Sequence, residues 1–162
     1  MANTTEDFTK LVKSCMQKLA GAGKKCSVKA LKDDSMNAHL KTFSAMSGKK
    51  KKGPGINMKI KYECPSCKKE WTSGCGNTQW YYKLETQKGP NGDGVTGYTL
   101  HFKVHSYYQK CEKCNVAGRL EPYEDESERL SKIFVNGLAK ELGMEPPFTF
   151  KGQRGGNPRR SH

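Results

Sequence analysis

Two Cys-x-x-Cys pairs, Cys64-Pro65-Ser66-Cys67 and Cys111-Glu112-Lys113-Cys114, are the residues best suited to chemistry in this chain. Four thiolates on two tight turns make a closed tetrahedral shell for one Zn²⁺, the pattern of a structural site. The pairs are separated by 43 residues, Lys68 to Lys110, against the usual ribbon gap of about 15–20. The Gly89-Pro90-Asn91-Gly92-Asp93-Gly94 turn takes up the difference as a hairpin, which lets both pairs meet at one end of a sheet. A closed shell leaves no open position for catalysis, so the metal is expected to hold the fold and the chain is not expected to be an enzyme. Redox use of Cys64-x-x-Cys67 would need a helix N-terminus after a strand, for which Lys68-Lys69 substitute only in part. A zinc deaminase would need His-x-Glu ahead of Pro-Cys-x-x-Cys, and the chain has neither. Cys75, His101 and His105 are alternative or additional ligands, ranked below the four cysteines because a lone histidine on a strand is more often a surface residue.

The metal must stabilise a fold with little core of its own. Only 34% of the 162 residues are hydrophobic and 17 are glycine, so zinc-binding free energy is expected to contribute to folding. No apolar run approaches the roughly 20 residues that span a bilayer, and the polar start lacks a signal-peptide core. Seven cysteines, an odd number, then fit a reducing compartment, the cytoplasm, with nuclear entry or peripheral membrane association left open. The formal charge of +13 is uneven. Residues 49–119 hold fourteen Lys/Arg against five Asp/Glu, while residues 120–162 balance at seven and seven. A positive field centred on the metal-binding segment attracts RNA, DNA or an acidic membrane face.

The elements that position these residues follow from periodicity. Thr4 or Thr5 caps a helix in which Phe8, Leu11, Val12, Cys15, Met16 and Leu19 recur at helical spacing until Gly21 and Gly23. This stripe is a packing face or a docking face. A second, weaker helical stretch runs from about Ser27 to Met46, carrying Val28, Leu31, Leu40 and Phe43. Residues 1–48 thus read as an N-terminal helical region and residues 49–55 as a Lys/Gly-rich linker. Lys49, Lys50, Lys51 and Lys52 form a spacer, a basic arm for phosphates, or a nuclear-localisation run. From Ile56 the period becomes two: a strand over Ile56–Tyr62, a second over Thr78–Thr86 and a third from Gly97 to about Gln109. In the third, Tyr98, Leu100, Phe102 and Val104 face one way and His101, Lys103, His105 and Tyr107 the other. After five acids within Glu121–Glu128, the residues Leu130, Ile133, Phe134, Leu138 and Leu142 predict a packing helix ended by Gly143. Residues 56–145 form the zinc-binding domain, and residues 146–162 a disordered basic tail. The fold class is α+β: a small zinc-ribbon-like antiparallel sheet with a C-terminal packing helix and an N-terminal helical segment.

Trp71-Thr72-Ser73 after the first cysteine pair, an aromatic strand, and Tyr107-Tyr108-Gln109-Lys110-Cys111-Glu112-Lys113-Cys114 resemble the 3CxxC-type zinc-finger family. That family holds the receptor-transporting proteins and the zygote-arrest proteins, and the resemblance spans about Lys59–Leu142, roughly half the chain. It implies one of two activities. Members of the transporter type help odorant and other seven-helix receptors to the cell surface; an interferon-induced branch and the zygote-arrest branch are associated with RNA. The chain departs from the pattern in lacking a third Cys-x-x-Cys after the helix and a hydrophobic C-terminal anchor, and the first 48 residues match nothing in the family.

The sequence therefore leads to one structural zinc on Cys64, Cys67, Cys111 and Cys114, and to RNA or another polyanion on a basic sheet face. Lys59, Lys61, Lys68, Lys69, Lys83, Lys103 and Lys110 are the expected phosphate contacts, supported by Lys49–Lys52. His101, His105, Tyr107 and Tyr81 are the expected stacking or hydrogen-bonding groups. The second expectation is an adaptor that binds membrane receptors through the Phe8–Leu19 stripe or the sheet face.

Overall fold

In the computed structural model, residues 2–32, 39–43, 55–92 and 94–150 are described. Lys49–Lys52, most of the linker and residues 151–162 of the expected tail lie outside them, as does the Cys75 side chain. The first tail residues are ordered against expectation, because the Phe148 backbone exchanges two hydrogen bonds with the Asn136 side chain (2.9 and 3.1 Å) and its ring packs on the core. The elements in chain order are β1 (Ala2–Asn3), α1 (Thr5–Ala20), β2 (Lys25–Ala30), β3 (Lys41–Phe43), β4 (Ile56–Glu63), β5 (Glu70–Lys88), β6 (Val95–Ser106), β7 (Arg119–Pro122) and α2 (Glu124–Glu141).

The hairpin of β5 and β6 is the spine. It is antiparallel from Thr78↔Ser106 to Lys88↔Val95. The 19-residue β5 runs on past the hairpin, so that its first half pairs with β4 and its second half with β3. β4 in turn accepts the short edge strand β7. Along the other edge of β6 lie β1 and then β2, the latter parallel from Lys25↔Gly97 to Ala30↔Phe102. The sheet is thus mixed rather than wholly antiparallel as expected.

Among the described residues of Ser27–Met46 the expected helix does not form. Residues 25–30 and 41–43 are strands on opposite sides of the spine. Cys26, Val28 and Ala30 are the half-buried positions of β2, a period of two set by burial against β6.

Both helices cover one face of the sheet. Trp80 is fully buried at the centre, with ring centroids 4.9 Å from Phe8 of α1 and 4.7 Å from Phe134 of α2. Its Nε1–H donates to Thr78 Oγ1 (2.9 Å), whose hydroxyl donates to the Ile56 carbonyl (2.7 Å), so the buried indole is satisfied. Phe8, Val12 and Met16 are wholly buried in this core. The helical stripe is therefore a packing face, and the receptor-docking route through Phe8–Leu19 is closed.

The caps follow local chemistry. Thr4 is the N-cap residue of α1, but its hydroxyl turns to Ser106 Oγ (2.9 Å) on β6 instead of capping. α2 ends as its sequence predicts: Gly143 is left-handed, and the amides of Gly143 and Met144 donate to the Lys140 and Ala139 carbonyls in a Schellman pattern.

Candidate metal centre

Each cysteine pair sits on a turn that leaves a strand at the same end of the sheet. The first follows β4 and the second follows β6. The two turns repeat one backbone pattern. The Cys64 amide donates to the Lys69 carbonyl (2.8 Å) and the Lys68 amide to the Cys64 carbonyl (2.9 Å). In the second turn, the Cys111 amide donates to Val116 (2.8 Å) and the Asn115 amide to Cys111 (2.7 Å). The residue after the second cysteine is left-handed in both, Lys68 at φ 65° and Asn115 at φ 55°. Asparagine adopts that conformation readily, whereas Lys68 does so at a cost of about 1–2 kcal/mol. The turn geometry, imposed by its thiol ligands, outweighs that cost.

The four Sγ atoms lie within 4.8 Å of one another, and Cys67 Sγ is 3.7 Å from Cys111 Sγ. Zinc–sulfur bonds of about 2.3 Å in a tetrahedron place sulfurs about 3.8 Å apart, so the donor set fits one Zn²⁺. Cys64 and Cys111 are buried, Cys67 and Cys114 half-buried. The Cys67 amide points at Cys64 Sγ (3.5 Å), and with the Ser66 amide it draws the Cys64 thiol down to about 7 against the effect of desolvation. Hydrogen bonding to the Cys67 thiol, then desolvation, pushes Cys114 up to about 11. A bound zinc ion would hold all four as thiolates.

A second set of residues ties the two turns together. Gln109, two residues before Cys111, accepts the Trp71 Nε1–H (3.0 Å) on its Oε1 and donates from Nε2 to Ser73 Oγ (3.0 Å). The Gly118 amide donates to the Gln109 carbonyl (2.8 Å). Trp71 stacks on Tyr62 (5.4 Å, 15°) and covers Gly118, where any Cβ would come within 2.7 Å of the indole. The Trp-x-Ser step and the glutamine before the second cysteine pair are thus one lock across the arms of the centre. Sequence reasoning used them only as a motif, since their contact exists only once the hairpin closes.

A family model described as a zinc-binding domain, the 3CxxC zinc ribbon, matches residues 57–162. The chain belongs to this zinc-binding family. Its four-cysteine centre is the structural zinc site that family membership and geometry both support. Among the described residues this is the one cluster of His, Cys, Asp and Glu arranged to hold a metal, and neither His101 nor His105 is part of it. No curated protein and no solved structure matches the chain.

The remaining predicted residues separate by environment. Lys68, Lys69 and Lys110 are exposed on the cysteine turns. Lys59 is exposed on β4, its ammonium 5.6 Å from the Tyr123 ring. Lys61 is paired with Glu70 (3.4 Å) and lies 4.0 Å from Glu121; the hydrogen bond to Glu70 raises its pKa. Lys83 pairs with Glu85 (3.3 Å). Lys103 corrects the expectation: it is only 5% exposed, with its ammonium 5.5 Å from the Tyr81 ring, and presents nothing to a phosphate. Alternation places it on the open face, but its neighbours cover it. His105 meets Tyr81 edge-on at 5.7 Å, and Tyr107 is 47% exposed with its hydroxyl accepting from Gln79 (3.2 Å). Lys29 was missed because its segment read as helix. The register sets exposed Lys29 beside His101, and His101 beside Lys83, across three strands.

Proposed function

We propose that this zinc-binding protein binds single-stranded RNA, its metal serving structure and its sheet face serving recognition. The carrying observation is the row Lys29, His101 and Lys83, on the face opposite α1 and α2. Neighbouring strands are about 4.8 Å apart, so the row sets these three side chains next to one another across three strands, and the long lysine side chains can adjust to successive phosphates. Lys25, exposed four residues before Lys29 on the same face of β2, extends the same sign of charge.

The lysines on the cysteine turns contribute less. Four thiolates around a divalent ion leave two negative charges, and Lys68, Lys69, Lys110 and Lys113 lie on or beside those turns with Glu112 among them. Most of that positive charge is offset locally; on the sheet Glu85 offsets Lys83 in part, while Lys25 and Lys29 add to the row, which makes it the main electrostatic site. Of the two activities that the family resemblance implies, the row favours RNA; burial of the Phe8–Leu19 stripe leaves receptor escort only its other expected surface, the sheet face. A non-catalytic role accords with four cysteine ligands filling a tetrahedral shell. A reducing compartment, the cytoplasm, accords with six described cysteines that are all free of disulfides. Among the described residues, no helix is long and apolar enough to cross a membrane.

Titration of a labelled single-stranded RNA at several salt concentrations tests the proposal. About three neutralised phosphates give a slope near −2 in log affinity against log salt, and Lys29→Glu reduces that slope. Affinity that is flat across salt contradicts it.

A further inference from the structure

The large hydrophobic side chains that stand exposed among the described residues are Tyr107 (47%), Tyr108 (48%) and Val116 (40%). All three flank the second cysteine turn, within ten residues of one another. A core with 34% hydrophobic residues to draw on has nonetheless left two aromatic rings in water at one place. The backbone at Tyr107 is fixed. The Tyr107 amide donates to the Asn77 carbonyl (3.2 Å), and its carbonyl accepts from the Tyr62 hydroxyl (3.0 Å). Gln109 next to them is held by Trp71 and Ser73. Rigidly mounted exposed aromatics suit stacking, because little conformational entropy is lost when a flat partner lands on them.

The Tyr107 hydroxyl reaches Gln79, which also accepts from the Tyr81 hydroxyl (2.7 Å). Gln79 thus links Tyr107 to Tyr81, which meets His105 edge-on, and the three side chains lead from the metal end onto the face that carries Lys29, His101 and Lys83. From Tyr107 to His101 along β6 is six residues, about 20 Å at 3.3 Å per residue. That distance accommodates several nucleotides of an extended strand.

We infer that Tyr107 and Tyr108 form a base-stacking subsite for unpaired nucleotides, with Val116 as its apolar border. Lys110 and Lys113 are exposed in the same stretch, and the residual positive charge of the turns, together with the sheet row that Tyr81 and His105 adjoin, suits a nucleic-acid occupant. This inference rests on the proposed RNA binding and divides the labour within it: the sheet row holds phosphates and the tip holds bases. Stacking is sequence-tolerant, so the subsite distinguishes single strands from duplexes rather than one sequence from another.

The test compares a single-stranded RNA with an abasic strand of equal length and charge, both by fluorescence anisotropy on the full zinc-loaded chain. The natural strand is expected to bind about tenfold or more tightly than the abasic one, and Tyr107→Ala/Tyr108→Ala to erase that difference. Zinc content of the variant, measured in parallel, confirms that its centre is intact. Equal, salt-dependent binding of both strands by the native chain overturns the stacking subsite and leaves the polyanion reading standing. A preference for the natural strand that survives in the double variant overturns the assignment to these tyrosines. Binding of neither strand at any salt overturns both proposals and makes the exposed rings a surface for a protein.

Discussion

Replacing Gln109 with alanine isolates the lock between the arms of the metal centre. The change removes the bond from Trp71 and the bond to Ser73, each 3.0 Å, and leaves the backbone bond from Gly118 in place. Both lost bonds are solvent-exposed, so each contributes toward the lower part of the usual range, and about 1–1.5 kcal/mol together. When the cysteine turns separate, the two bonds break with them. Their free energy therefore appears in zinc affinity, as a loss of about fivefold to tenfold. Ser73→Ala removes only one of the two bonds and should weaken zinc by about threefold. Competition against a chromophoric chelator at neutral pH measures both, with circular dichroism confirming that each zinc-loaded variant is folded. A dissociation constant for Gln109→Ala within twofold of the native value would refute the reasoning, and the motif would then need another explanation.

Two further perturbations test the packing and the charges. Gly137 lies inside α2, where alanine normally gains about 1 kcal/mol. Here a Cβ would come within 2.2 Å of the Phe43 ring, which Phe134 flanks at 5.2 Å, so overpacking of about 1–3 kcal/mol should exceed the gain. Gly137→Ala is expected to lower the melting temperature, and Phe43→Leu to relieve it; an unaided rise would contradict this packing. Arg129, bonded to both Glu126 oxygens (2.9 and 3.1 Å), is the leading cause that holds the Glu126 carboxyl below its usual value of 4.5. A depressed folded pKa stabilises above the unfolded value and loses that contribution as pH falls below it. The melting-temperature gap between native protein and Glu126→Gln should therefore be full at pH 7 and shrink below about pH 4.5. A gap that widens in acid would reverse the assignment.

The parts of the fold legible in the sequence are those written into local periodicity. Alternation gave the inward faces of β4 and β6, and Gly143 marked the end of α2, because turn and burial signals there agree with tertiary structure. The segment after α1 misled because Val28, Leu31, Leu40 and Phe43 fall near helical spacing, whereas β2 and β3 owe their form to β6 and β5, more than thirty residues away in sequence. β7 was invisible for a related reason: four residues ending in Pro122 make an edge strand only against β4. The metal ligands were legible because Cys-x-x-Cys is a local turn. The Trp71–Gln109–Ser73 lock, the burial of Lys103 and the row through Lys29 were not, since each depends on register between strands.

The central claim is that a single zinc ion joins the two turns. Mass spectrometry of the full chain under native conditions tests it most directly, read for metal and for cysteine oxidation together. One zinc per chain, with every cysteine reduced and the ion absent after Cys111→Ser, is the result expected. A folded chain that carries no metal, or one in which these cysteines are linked as disulfides, would contradict it.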